Sequence, residues 1–337
     1  MKRMKKLAGA IALAAVFGLA GCNLATSGLF TLTIPGEWPP SDYDHGDREV
    51  IGPGDLDMGE IRIGGQPQTF LMGSPPNNPN EIGRNDHEGP QRLVTISAGF
   101  WISETPVTQA QWYSVMGSFT FTSQPAPIGG DSSVRRPMHT VNWFDTLVFA
   151  NRLSYREDFT PAYMINGSTN PDDWGAVPTS AAHPNFAAWD AVQIVPGSTG
   201  YRLPTEAQWE FAARAGTTTP FSDGVQEPTV ESLDRIGWFA FNGGAMTGRE
   251  VGLKEPNAWG LYDIHGNIGE WVWDRFGLYP SHAQTDPAGP LSGVNRVIRG
   301  GGGFGGGGME LARSAARNAT TPPFSDFTWS GFRLVRP

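Results

Sequence analysis

The chain is nearly devoid of cysteine: there is one, at position 22, in 337 residues. No internal disulfide is available, so the core must hold itself together by packing and polar pairing. Runs of like charge are missing too. Beyond the first six residues there is no run of lysine and arginine, and the formal net charge of −9 is spread along the chain, which leaves the basic footprint of a nucleic-acid binder missing. The histidines, His45, His87, His139, His183, His265 and His282, stand far apart and show no metal-ligand spacing. There is no long repeat, and no amphipathic run exceeds about a dozen residues. What is plentiful is glycine (44), proline (28) and tryptophan (12) beside an ordinary apolar share. Such a chain can bury one large core or two smaller ones, and turn residues every few positions argue for a single irregular domain with short helices and much loop.

The N-terminus carries Lys2, Arg3, Lys5 and Lys6 ahead of an apolar stretch, Leu7 to Ala20, too short for a comfortable membrane span and patterned as a secretion signal. Its end, "LAGC", resembles the bacterial lipobox, in which the cysteine is lipidated and becomes the mature N-terminus. The expectation is a signal peptide over 1–21 and acyl chains, palmitate among them, on Cys22. Multi-chain acylation gives stable attachment, so the protein is expected to be exported and lipid-anchored to a bacterial membrane, the outer membrane and cell surface being the expected place. Residues 22–50, with scattered Pro, Gly, Ser and Asp, read as a tether.

Three helices can be placed. "TPVTQAQWYSVMG" offers Thr108 as N-cap, Gln111 three residues on, and Gly117 as the stop; "YRLPTEAQWEFAARAG" repeats the device with Thr205, Gln208 and Gly216, with Glu206 suited to the helix dipole. "VNWFDTLVFANRLS" is entered near Asn142 and lays Leu147, Ala150 and Leu153 along one face.

Taken in order, "TFLMGS", "ETPVTQAQWYSVMG", "RPMHTVNWFDTLVFANRLS", "YRLPTEAQWEFAARAG", "PNAWGLYDIHGNIGEWVWD", "RVIRGG" and "RSAARN…GFRLVRP" resemble the blocks of the formylglycine-generating-enzyme (sulfatase-modifying factor) domain family. The resemblance runs from about residue 55 to 337. It implies an α+β fold, an elaborated C-type lectin fold with short helices and much irregular loop, over residues 51–337. The family's enzymes oxidise a substrate cysteine with their own C-terminal cysteine pair, which binds copper. Here no cysteine follows Cys22, and thiolate chemistry needs thiols, so no enzymatic activity is expected. A related branch uses an iron site of clustered histidines, which the scattered histidines do not provide.

Other signals are weaker. "GFGGGG", 303–308, fits the dinucleotide fingerprint, but too little chain follows for the crossover unit it requires. "NAT" at 318–320 matches a glycosylation sequon, a coincidence in a bacterial lipoprotein. "DIHGNIGEW" has a counterpart in some family members that holds calcium through carbonyls and a glutamate. The resemblance transfers that role to Asp263, Gly266, Ile268 and Glu270. The competing reading makes Glu270 a structural turn residue. No cofactor is required, and a structural calcium is the one candidate.

The stretch "RVIRGGGGFGGGGMELARSAARN" sets eight glycines around Phe304. A frame resembling the family (Arg299, Gly300, Gly301, Arg313, Ser314, Ala315, Arg317, Pro322, Gly331, Phe332 and Arg333) alternates there with fillings that follow no core pattern: Phe304, Gly305, Gly306, Met309, Glu310, Asn318, Ala319, Phe324, Asp326, Phe327 and Trp329. Fixed frame and free fillings over 296–337 resemble the variable regions of retroelement-diversified treponemal variable lipoproteins, where adenines of a template copy are randomised. Asparagine codons can then become Gly, Phe, Ser, Asp, Ala or Thr codons; Trp329 fits that scheme poorly. The resemblance implies a surface-anchored, non-enzymatic protein that binds a protein or glycan ligand through these fillings, with Phe304, Phe324, Phe327 and Trp329 as exposed anchors. Against this stands the reading in which those aromatics fill the core. The alternatives for the whole chain are a structural or envelope-assembly lipoprotein with a fixed partner surface, and an enzyme using an unrecognised residue set.

Overall fold

The three longest helices begin where local side chains satisfy the first backbone N–H groups. In α1 (Gln109–Met116) the Gln111 N–H donates to Thr108 Oγ1 and the Thr108 N–H to Gln111 Oε1. Asn142 and Asp145 make the same reciprocal pair at the start of α2 (Trp143–Arg156), and Thr205 and Gln208 at the start of α4 (Glu206–Arg214). Gly117 ends α1 in the left-handed region at φ 72°. The end of α4 differs from expectation: Ala215 takes the left-handed cap at φ 45°, one residue before Gly216, and its N–H reaches Phe211 O. Two short helices, α3 (Phe186–Asp190) and α5 (Val230–Ile236), had no sequence signal long enough to show periodicity.

The structure, a computed structural model, describes residues 58–76, 78, 81–117, 135–243, 248–301 and 308–337. The stretches expected as signal peptide (1–21) and tether (22–50), with Cys22, and Phe304, Gly305 and Gly306 lie outside them. All the described residues belong to one unit, Asp42–Pro337.

The strands are short: β1 (Glu60–Ile63), β2 (Gln68–Met72), β3 (Arg92–Ile96), β4 (Phe100–Ser103), β5 (Tyr163–Met164), β6 (Gln193–Ile194), β7 (Gly269–Arg275), β8 (Gln284–Thr285), β9 (Arg296–Arg299), β10 (Asn318–Thr321), β11 (Ser330–Phe332) and β12 (Val335–Arg336). They form sheets ordered β10-β9-β7-β11, β1-β4-β12 and β2-β3-β8, with β5-β6 as a small pair. The last strand closes on the first ones, since β12 pairs antiparallel with β4, which pairs with β1. In the four-stranded sheet β7 is central, antiparallel to β9 and parallel to β11.

The main core lies between α1, α2 and this sheet. Trp112 stacks on Phe149 at 5.4 Å, and Phe332 meets both edge-on. Two of the indole N–H groups reach backbone carbonyls inside: Trp143 donates to Val272 O and Trp271 to Val141 O. Aromatic burial of this kind gives large apolar area without disulfides, and the polar handle of each indole fixes its orientation. α2 is buried almost all round, Leu147, Ala150 and Leu153 included, because it sits inside the core and not on its surface.

Candidate functional site

The C-terminal region is built on four buried arginines. Arg299, at the end of β9, donates to the carbonyls of Ser314, Ala315 and Ala316 and to Glu210 Oε2. Arg313 reaches Glu88 through both terminal nitrogens, at 2.7 and 2.8 Å, and also Glu81. Arg317 holds Glu206 bidentately and donates to the carbonyls of His87 and Gly277. Arg333 holds Glu270 through Nε and Nη2, both at 2.7 Å, and donates to the carbonyls of Ser103, Glu104 and Tyr262. Planar forks paired with carboxylates fix both position and angle.

Burial opposes the charge on Glu206, yet Arg317 and Arg299 hold its carboxyl below the ordinary value. Burial is the largest influence on Arg299 and opposes its charge, but Glu210, Tyr279 and Glu206 together outweigh it, so its pKa is raised. Glu206 and Arg299 therefore keep their charges inside the protein. Glu206, expected to act on the helix dipole, proves to be an ion-pair partner. Its companion Glu210 lies one turn further along α4, a spacing of four that places both carboxylates on one face; that spacing was the available signal for the site's acidic side.

Between β10 and β11 runs the loop 322–329, and its support is of another kind. The Trp143 N–H donates to Pro323 O at 2.9 Å and the Thr140 N–H to Phe327 O at 3.2 Å. Ser325 N–H closes a turn onto Pro322 O, and Ser330 N–H onto Phe327 O. All of these are backbone bonds, indifferent to side-chain identity. Sequence reasoning had no means of finding Thr140 and Trp143 as the donors.

On this support the predicted filling residues divide. Asp326 and Phe327 are exposed. Phe324 is half-buried, its ring edge-on to Phe186 of α3 at 6.0 Å. Met309 and Glu310, in a short 3-10 turn, are half-buried, and Met309 packs against a cluster containing Phe221 and Ala312. Asn318 starts β10 opposite Ile298 of β9 and accepts from Thr321 Oγ1; the backbone of Ala319 continues the strand. Trp329 corrects the expectation of display: it is 7% exposed and belongs to the main core, with Phe327 stacked on it at 5.1 Å. An indole seated under the loop cannot serve as an exposed anchor, which accords with its poor fit to the codon scheme.

Of the proposed calcium set, Glu270 and the Gly266 carbonyl are engaged otherwise. Glu270 is fully buried, and besides Arg333 it accepts from Trp209 Nε1 at 2.7 Å. The Gly266 carbonyl accepts from Ile268 N–H. Asp263 accepts from Gly252 N–H, and burial pushes its carboxyl up to about 6. Among the described residues no group of three or more His, Cys, Asp and Glu is placed to hold a metal.

A family model described as the sulfatase-modifying factor enzyme 1-like domain matches residues 57–337. The chain belongs to this family. Its fold is the α+β, elaborated C-type lectin fold of the formylglycine-generating-enzyme type. Treponema denticola variable protein 1 is similar in structure, with a TM-score of 0.69 and 32% identity, covering 82% of this chain and 95% of that one. The chaperone protein LppX of Paenibacillus barcinonensis is 31% identical over 57% of this chain and 66% of its own length, so the matched stretch falls short of two thirds of that relative. The formylglycine-generating enzyme of Mycobacterium tuberculosis is 31% identical over 60% of this chain and 71% of its own. Family membership thus spans enzymes and proteins named for other roles, and function has to be argued from the site.

Proposed function

We propose that this sulfatase-modifying-factor family member is a non-enzymatic ligand-binding protein, exported and lipid-anchored through Cys22, whose C-terminal fillings are diversified to change what it binds. The observation that carries the reading is the division of labour in the C-terminal region. Frame arginines fix the segment before the loop through side chains, while the loop is tied to Thr140 and Trp143 by backbone hydrogen bonds and seated by Phe324 and Trp329, and none of those hydrogen bonds depends on the side chains of Asp326 and Phe327. Such a loop can change its residues without changing its path, as binding loops on rigid scaffolds do. The likeness to a variable protein supports the same reading. The absence of any cysteine after Cys22 supports a non-enzymatic role, since the family's oxidation chemistry runs on thiolates. No calcium is required, because Arg333 already neutralises Glu270.

The test is sequencing of the gene in many isolates together with its flanking DNA. The expected result is a near-copy of the end of the coding sequence beside a reverse transcriptase gene, with variation at codons 310, 318, 324, 326 and 327 and none at 299, 313, 317 or 333. Invariance at all of these codons, with no template copy, would refute diversification. It would favour a fixed partner surface, the reading that the resemblance to LppX supports.

A further inference from the structure

Away from the variable loop, a pocket of about 240 Å³ opens between β2, β3, β7 and the segment 277–290. Its floor is charged and its walls are apolar. Arg92, the first residue of β3, is 5% exposed. Its Nε donates to Gln284 Oε1 at 3.2 Å, its Nη2 meets only the Met72 sulfur at 3.5 Å, and its Nη1 is buried without a hydrogen-bond partner in the protein. The guanidinium lies over the Tyr279 ring, 3.6 Å from the centroid. No carboxylate lies within ion-pair distance of it among the described residues.

That is unlike its neighbour. Arg317, also lining the pocket and also over Tyr279 at 4.0 Å, directs its terminal nitrogens to Glu206 and two carbonyls. A buried guanidinium N–H left unpaired carries a desolvation penalty that an anionic acceptor would relieve. The acids of the pocket do not supply that acceptor. Glu206 is taken by Arg317 and Arg299. Asp274 accepts from Glu206 N–H at 2.8 Å, and burial, reinforced by Glu206, pushes its carboxyl up to about 7, so it opposes an incoming anion only in part. Around this floor stand Met72, Pro280, Pro287 and Pro290, suited to an apolar body. The volume is below that of drug-sized sites and admits a short acid or the last residue of a peptide.

We infer that this pocket binds a small monocarboxylate with an apolar body, its carboxylate received by Arg92. The site is separate from the variable surface and does not rest on the binding function proposed above. A peptide C-terminus and a free short acid share the required chemistry, and the probes distinguish them.

Calorimetric titration of the purified chain with hexanoate, hexanamide, N-acetyl-leucine and N-acetyl-leucine amide tests the inference. Saturable binding of at least one acid is expected, with its amide weaker by about tenfold or more, as loss of a charge-assisted pair implies. Preference for N-acetyl-leucine over hexanoate identifies a peptide terminus, and the reverse a free acid. Arg92→Gln should abolish binding. Because that change also removes a ring contact, Ala288→Phe serves as the second variant: Ala288 is an exposed wall residue, so the substitution narrows the mouth without disturbing the core. It should lower affinity at unchanged melting temperature, whereas Phe327→Ser should leave affinity as it was. No saturable binding, equal affinity for acids and amides, or full affinity in Ala288→Phe would overturn the inference, and none of these results touches the reading of the variable loop.

Discussion

The segment Ala312–Arg317 and the loop 322–328 are close in sequence and are held by opposite means. In the first, Arg313 and Arg317 are buried and grip glutamates more than a hundred residues away, while Arg299 ties three successive carbonyls of the segment to α4. Each of these bonds depends on a particular side chain. In the loop the hydrogen bonds to Thr140 and Trp143 are N–H to C=O, Phe324 and Trp329 pack inward, and the outward side chains of Asp326 and Phe327 are the ones left to differ. Variability is therefore affordable where geometry is set by the backbone, and excluded where it is set by guanidinium forks. A binding surface that changes needs the second kind of neighbour to keep the first kind in place.

The comparison breaks most visibly at an arginine. Arg333→Ala leaves Glu270 buried beside Trp209 with its charge uncompensated, and loss of one partner of a buried pair costs about 3–5 kcal/mol. Urea unfolding should show it as a lower midpoint at unchanged slope. Arg333→Lys should recover only part of the loss, because a point charge cannot serve Glu270 and three carbonyls at once. A change within error of zero would mean that the frame does not rest on these pairs.

Next comes the residue that moved from one class to the other. Trp329 was expected on the surface and is in the core, so Trp329→Ala should cost about 3 kcal/mol, the lower range for a large buried aromatic, and should behave like Phe332→Ala in a thermal melt. If Trp329→Ala melts like the unmutated protein, the indole belongs with the fillings after all.

How much of this was legible depended on sequence distance. The starts of α1, α2 and α4 were readable because a capping pair lies within four residues, and the frame read from the family resemblance includes Arg299, Arg333 and Phe332, which the structure buries. The partners of those arginines were not readable. Glu81 and Glu88 meet Arg313 across more than two hundred residues, and nothing local marks a glutamate as waiting for a distant guanidinium. Trp329 was misplaced for a similar reason: its neighbours in sequence, Asp326 to Thr328, are exposed, whereas its burial comes from the α1/α2 core. The pocket around Arg92 gave no signal at all, being assembled from β2, β3, β7 and a proline-rich loop.

A smaller effect is expected at the exposed fillings. Asp326→Lys should alter stability by no more than about 0.5 kcal/mol, as surface positions without special contacts do. Phe327→Ser should cost about 1 kcal/mol, since it gives up the stacked pair with Trp329. Thermal melts of single variants check both. Losses as large as that of Arg333→Ala at these positions would remove the distinction between loop and frame.

The smallest effect tests whether the two regions communicate at all. Asp145 lies under the loop at the start of α2; burial foremost, opposed by the Asn142 N–H and assisted by the charge of Asp326, pushes its carboxyl up to about 6. In the unfolded chain an aspartate titrates near ~3.9. The folded state therefore binds the extra proton between these values, and by linkage the stability this group contributes is complete below the lower one and lost as pH rises through the upper one. Asp326→Asn removes one cause of the upward shift, so the loss should be smaller. The variant should match the unmutated protein in urea midpoint below about pH 4 and exceed it slightly above about pH 7. The gain should shrink in high salt, because Asp326 is exposed and its field is screened. Equal midpoints at both pH values would mean that the filling exerts no electrostatic influence on the helix beneath it, and the loop would then be coupled to the frame through its backbone and the packing of Phe324 and Trp329.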